Sequence, residues 1–145
     1  MATSSSPVLV QVPKLALVQF LGTISTPDAP GTYKTLYTGG ANGSKIIGLW
    51  ENNNDGSLTH NVTLAINRSG IIYGGVVFTT AVNDGWANGT PAKNLMTPTL
   101  WPGLPIDSDG NPYFFLQSGD ILQATFATAL TTNSFINLAA VVGDF

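Results

Sequence analysis

The chain has no cysteine and a single histidine, His60. The first absence excludes a disulfide framework, thiol catalysis and Cys-ligated zinc or iron–sulfur centres. The second excludes multi-histidine metal sites. Charge is also scarce: Asp, Glu, Lys and Arg make up 9% of the residues, against roughly 25% in an ordinary soluble domain. Five scattered basic residues in a chain of net charge -3 argue against nucleic-acid binding, which depends on neutralising several phosphates. No apolar run approaches the roughly 20 residues of a membrane helix, so no membrane partner is expected. The opening MATSSSPVLVQVPK has no basic stretch ahead of an apolar one and does not read as a secretory signal.

What is present is β-branched, aromatic and turn-rich. The 145 residues, 43% hydrophobic, suit one domain with a core of its own. Thr, Asn and Ser supply the polarity that charge does not. From Val8 to Phe20 the text is apolar and β-branched but contains Pro13, which cannot donate to a ladder. An edge strand or extended arm is expected there. Residues 22–35 read as a loop. Asn42-Gly43, Asn53-Asn54-Asp55-Gly56 and Arg68-Ser69-Gly70 mark turns.

Between the turns, Lys45–Asn52 reads as a strand with Ile47 and Leu49 on one face and Ile46 and Trp50 on the other. Leu58–Asn67 alternates Val62, Leu64 and Ile66 against Asn61, Thr63 and Ala65, the period of a half-buried antiparallel strand. Ile71–Thr80 follows, with a bulge or close neighbouring backbone expected at Gly74-Gly75. Tyr113–Leu116, Asp120–Leu130 and Phe135–Val142 close the chain. Seven or eight strands, with turns about every ten residues, predict an all-β fold: an antiparallel β-sandwich or jelly-roll-like barrel with an extended N-terminal arm. Residues 1–20 are expected to form the arm and edge strand, and residues 21–145 a single sandwich domain.

Residues 82–112 differ. They hold five of the nine prolines, with Trp86 and Trp101. Apart from a short helical turn around Ala92–Met96, they read as a long irregular connection, which is uncommon unless it binds something.

The chemistry-bearing residues support no reaction. Asp107-Ser108-Asp109-Gly110-Asn111 has the spacing of a calcium loop, but position 118, where a bidentate Glu would be needed, is Ser. An Asp/Gly/Asn turn explains the stretch, and no metal or cofactor is expected. His60, between Thr59 and Asn61 with no Gly-x-Ser-x-Gly elbow in the chain, reads as a surface histidine. Most of the carboxylates sit in turns. Trp50 falls within a strand and reads as core or sheet surface. Trp86 and Trp101 either anchor an interface or lid the end of the sandwich.

A domain with so few charges, a Pro-bearing terminal segment and a long Pro/Trp loop suits life in a large assembly, because charge is costly to desolvate at an interface centre. Three stretches then carry a resemblance. They are Leu36-Tyr37-Thr38-Gly39-Gly40-Ala41-Asn42-Gly43-Ser44 with the strand after it, Leu104 to Tyr113 with Ser118-Gly119-Asp120, and the terminal Val141-Val142-Gly143-Asp144-Phe145. In this order they resemble the small structural proteins of tailed phages of the head decoration, or capsid cement, type.

The resemblance implies a non-enzymatic virion protein on the outer surface of the capsid, bridging neighbouring major capsid protein subunits and acting as a homo-oligomer, trimer or dimer. It transfers no catalytic residue. The contacts are expected from the arm (Val8, Val10, Val12, Pro13, Leu15) and from the long loop (Trp86, Met96, Leu100, Trp101). The competing readings are a tail- or fibre-associated β-domain and a carbohydrate-binding module. The latter would place Trp86 and Trp101 coplanar on an exposed face.

Overall fold

The structure is a computed structural model that describes residues 12–86 and 91–145. Nine strands follow one another: β1 (Val12–Leu21), β2 (Lys34–Thr38), β3 (Ser44–Asn53), β4 (His60–Arg68), β5 (Ile71–Thr80), β6 (Lys93–Asn94), β7 (Phe114–Leu116), β8 (Ile121–Phe126) and β9 (Phe135–Asp144). They form two antiparallel sheets, one ordered β1-β9-β3-β6 with β7 also on β3, the other β2-β8-β4-β5. This is the sandwich the alternation predicts, and no helix occurs among the described residues.

Every second residue of the paired strands points into the space between the sheets. β1 contributes Phe20, β3 Ile46 and Leu49, β4 Val62 and Leu64, β8 Leu122 and Phe126, and β9 Ile136, Leu138 and Val142. The rings of Phe20 and Phe126, one from each sheet, meet at 5.1 Å between centroids in a tilted arrangement, a favoured aromatic geometry.

Pro13 sits on β1, at the sheet edge, as its missing donor requires. β1 packs against β2 at one flank of the sandwich. At the other flank Lys93 of β6 donates to the Thr79 carbonyl of β5 at 2.6 Å. The edge strands β1 and β5 therefore lie on opposite flanks.

Three local expectations need correction. A bulge in β3 between Ile46 and Gly48 adds one residue, so Ile46 and Leu49 share the inner face while Ile47 faces solvent; strict alternation cannot foresee this. Ala92–Met96 forms no helical turn: Lys93–Asn94 is a short strand on β3, prolonged by the Leu95 amide donating to the Leu49 carbonyl at 2.8 Å. The long loop is thus partly core, with Leu95 and Met96 buried.

The Gly74-Gly75 expectation holds. The β4–β5 register shifts between Leu64 and Ile66, opposite these glycines. A Cβ on Gly75 would lie 1.4 Å from the Leu64 carbonyl oxygen, whereas one on Gly74 meets nothing within 4 Å. Gly75→Ala is expected to cost about 1–3 kcal/mol and Gly74→Ala no more than about 0.5 kcal/mol, read as the shift in urea midpoint.

Candidate functional site: charge-poor flanks and buried carboxylates

Most of the few charges are paired with one another. Lys14 pairs with Asp144 at 2.6 Å, Lys34 with Asp28 at 2.6 Å, Arg68 with Asp120 at 2.6 Å and Lys93 with Asp84 at 3.9 Å. Lys45 lies over the Tyr113 ring, 4.3 Å from its centroid.

Asp144, near the end of β9, gathers Lys14 of β1, Tyr37 of β2 and Ser44 of β3, each at 2.6 Å. The Lys14 ammonium, the Ser44 hydroxyl and the Tyr37 phenol hold its carboxyl down at about 2. Around it the three stretches that carry the resemblance converge at one end of the sandwich. The Gly39 amide donates to the Asp120 carbonyl, the Gly119 amide to the Gly39 carbonyl, and the Phe145 amide to the Gly43 carbonyl. These motifs knit the fold together at that end; their polar groups are largely consumed by one another.

Asp55 and His60 form a second knot, both side chains fully buried. Asp55 Oδ1 accepts from the Ser57 and Leu58 amides, and Oδ2 from the Thr131 amide and His60 Nε2 at 2.8 Å. His60 Nδ1 meets the Thr128 carbonyl at 3.0 Å. Both ring nitrogens therefore face oxygen partners. Burial alone would raise the Asp55 carboxyl; the Thr131 and Ser57 amides and His60 override it and hold it well below the usual range. The expected surface histidine is therefore a core residue, and neither ring nitrogen is left for a nucleophile. The signal was the Asn53-Asn54-Asp55-Gly56 turn five residues upstream, whose Asp the fold turns inward.

Glu51 of β3 is buried, and among the described residues neither its carboxyl oxygens nor the buried Thr80 hydroxyl has a hydrogen-bond partner. Burial pushes the Glu51 carboxyl up to about 7. The Asp107 turn is an Asx turn, its Oδ1 accepting the Asp109 and Asn111 amides at 3.0 and 2.9 Å. No group of three metal-ligating side chains occurs among the described residues.

The expected contact residues separate. Val8 and Val10 lie outside the described residues, and Val12 opens β1. Pro13 and Leu15 are exposed on the β1 flank, joined there by Leu17 at 67% exposure and by Ile24 in the following loop. Trp86 is exposed and stands edge-on to Phe135 at 4.8 Å. Met96, only 4% exposed, belongs to the core and is not a surface contact. Leu100 and Trp101 pack against that core, Trp101 stacked on Phe114 at 5.2 Å. Pro98 and Pro102 lie in the turns of this segment; its packing against the core is invisible in composition.

Sequence reasoning found β5 but missed its exposed apolar edge. Ile71, Ile72, Tyr73 and Val77 are exposed along an edge strand that carries no charge. Their unbroken apolar run, IIYGGVVFTT, was the available signal. Natural edges are usually guarded by charge or proline. β1 has Pro13, and its Lys14 is tied to Asp144; β5 has neither guard.

No protein-family model matches the chain, and no curated protein does. Among solved structures it is similar to a chain of the cyanophage Pam1 capsid asymmetric unit, at 12% identity and a TM-score of 0.45, over 100% of this chain and 98% of that one. A likeness of that size lends no weight to a reading of function.

Two predictions concern the carboxylates. Asp55→Ala leaves His60 without its buried partner and is expected to cost about 3–5 kcal/mol in denaturant unfolding. Stability is expected to peak on the acid side of neutrality. The Glu51 contribution is fully present below its ordinary 4.5 and is lost as pH rises through about 7, in total about 3 kcal/mol. The Asp144 contribution is present above its ordinary 3.8 and is lost as pH falls through about 2. Thermal melts across pH should show Glu51→Gln flattening the decline toward pH 8 and Asp144→Asn flattening the decline toward pH 2.

Proposed function

We propose that this chain is a head decoration protein of a tailed phage, which docks on the outer capsid surface and bridges neighbouring major capsid subunits. Two charge-poor apolar flanks on opposite sides of one rigid sandwich support this reading: β1 with Leu15, Leu17 and Ile24, and β5 with Ile72, Tyr73 and Val77. A domain with one sticky flank can only pair; one with two can link. Lys34 and Asp28 take up backbone groups of Gln19 and Leu21 on β1, and Lys93 takes the Thr79 carbonyl on β5; edge backbone open elsewhere among the described residues would add main-chain hydrogen bonds to the apolar contact. The internal pairing of four of the five basic groups lowers the desolvation cost of burying these flanks. The motif resemblance points the same way.

The mechanism is mechanical. Pressure from packaged genome pulls shell subunits apart, and a link across two of them must break before they separate. Selective binding to the expanded shell stabilises that state by linkage. Repetition over the shell multiplies a modest contact. Nothing in the mechanism requires a bond to be made or broken, and His60 and Asp55 are occupied with each other.

The test compares heat rupture of particles with and without this chain. Particles lacking it are expected to release their genome at a lower temperature, and added native chain to restore the difference. Val77→Lys, which puts a charge on the bare β5 edge, is expected to fold normally yet bind shells at least about tenfold more weakly. Equal rupture temperatures, or only a handful of copies per particle as a tail part would show, overturn the reading.

A further inference from the structure

The outer face of the β1-β9-β3 sheet carries a groove of about 470 Å³, a size that suits a small ligand. Cross-strand register builds it in rows. Leu17, Ala139 and Trp50 stand side by side on β1, β9 and β3, and Gln19, Asn137 and Asn52 form the next row. The small Ala139 between Leu17 and Trp50 makes the floor of a trough two strand spacings wide, about 9–10 Å. Gly48 lies in the row beyond Trp50, and the indole leans over it, its Cζ3 3.9 Å from where a glycine Cβ would be.

The amide row is pre-set. Gln19 Nε2 donates to Asn137 Oδ1 at 2.7 Å, and Asn137 Nδ2 donates to Asn52 Oδ1 at 2.9 Å. This chain runs in one direction. Among the described residues it leaves the Gln19 Oε1 acceptor at one end and the Asn52 Nδ2 donor at the other without a partner. On the far side of the row, Leu21 pairs with Phe135, against which the exposed Trp86 stands edge-on. Packing of Gly85 against the Asn52 Cβ holds Trp86 close to the row. No ionisable side chain lines the groove.

We propose that this groove binds a neutral oligosaccharide. A pyranose has an apolar C–H face, which an indole laid along a sheet can stack against. Its hydroxyls each donate and accept, which open amides of both kinds can match in a fixed direction. The Trp50 and Phe135–Trp86 rows are four residues apart along β9, about 13–14 Å, so the span fits more than one sugar unit. An acidic glycan would find no cation here, and an apolar peptide would bury the amide ends unpaired. The site is distinct from the β5 flank but shares Leu17 with the β1 flank, so sugar binding and docking through β1 compete for that side chain.

The experiment titrates the full chain with neutral hexose and N-acetylhexosamine oligomers (maltohexaose, cellohexaose, chitohexaose) and with polysialic and polygalacturonic oligomers. Tryptophan fluorescence and amide NMR shifts serve as readouts. Binding of a neutral oligomer in the millimolar to micromolar range is expected, with shifts centred on Gln19, Asn52 and Asn137. Trp50→Ala and Asn52→Ala are each expected to weaken it at least about tenfold, while Val77→Lys leaves it unchanged. Asn52 is only half-buried, so its variant keeps the test sound where Trp50→Ala fails to fold. No neutral binding at millimolar concentration, binding of acidic oligomers alone, or affinity unchanged in both groove variants overturns the proposal. Loss of sugar binding in Trp50→Ala with shell binding intact separates it from the capsid reading.

Discussion

One carboxylate holds the two sheets together at their common end. Asp144 takes a hydrogen bond from β1, from β3 and, across the sandwich, from β2. A chain with eight acidic and five basic residues can spare few charges, and this fold places them where strands from different sheets must meet. Asp55 does the same at another junction, tying the β3–β4 turn to the segment between β8 and β9 through His60 and the Thr131 amide. Both carboxylates are satisfied by several donors each, which is what makes a buried or half-buried charge tolerable.

The consequence appears at the surface. Charges paired with one another leave the flanks mainly to Leu, Ile, Tyr and Val, and the outer face of the larger sheet carries an indole and a ladder of amides. A freely diffusing domain usually keeps charge outside to remain soluble and separate. A component of a large assembly gains from the opposite arrangement, since a neutral flank can be dehydrated at little cost. The bare β5 edge is a liability in isolation and an asset once a neighbour covers it. The three motif stretches matter for the same economy: Gly39 bonds Gly119 and Asp120, and Phe145 bonds Gly43, which frees the flanks from structural duty.

Much of the architecture was legible. Alternation in Val62, Leu64 and Ile66 marked the inner face of β4, and Gly74-Gly75 marked a place where backbones nearly touch. Pro13 marked an edge. These are local properties: a period of two, a missing donor, a missing Cβ. Reading failed where one local event propagates. The bulge near Ile47 reverses the facing of the residues before it, and no composition signal announces one extra residue. His60 looked polar among polar neighbours, but its ring turns inward to meet an aspartate five residues away. Met96, expected in a short helical turn, is core, and Trp101, read as an interface anchor or a lid, packs against that core; long-range packing under the proline-rich stretch decides both.

The candidate sites divide along the same line. The residue order by itself determined that strands would alternate, that charge would be scarce, and that no cysteine-ligated or multi-histidine metal site could be assembled, because each depends only on which side chains exist and how they are spaced. Only the tertiary structure decided which apolar residues stay bare. It set β1 and β5 on opposite flanks. Through the register of three antiparallel strands, it aligned Gln19, Asn137 and Asn52 beside Trp50. Those alignments join residues 118 and 85 positions apart, and hydrogen-bond pairing between strands, not neighbourhood along the chain, creates them.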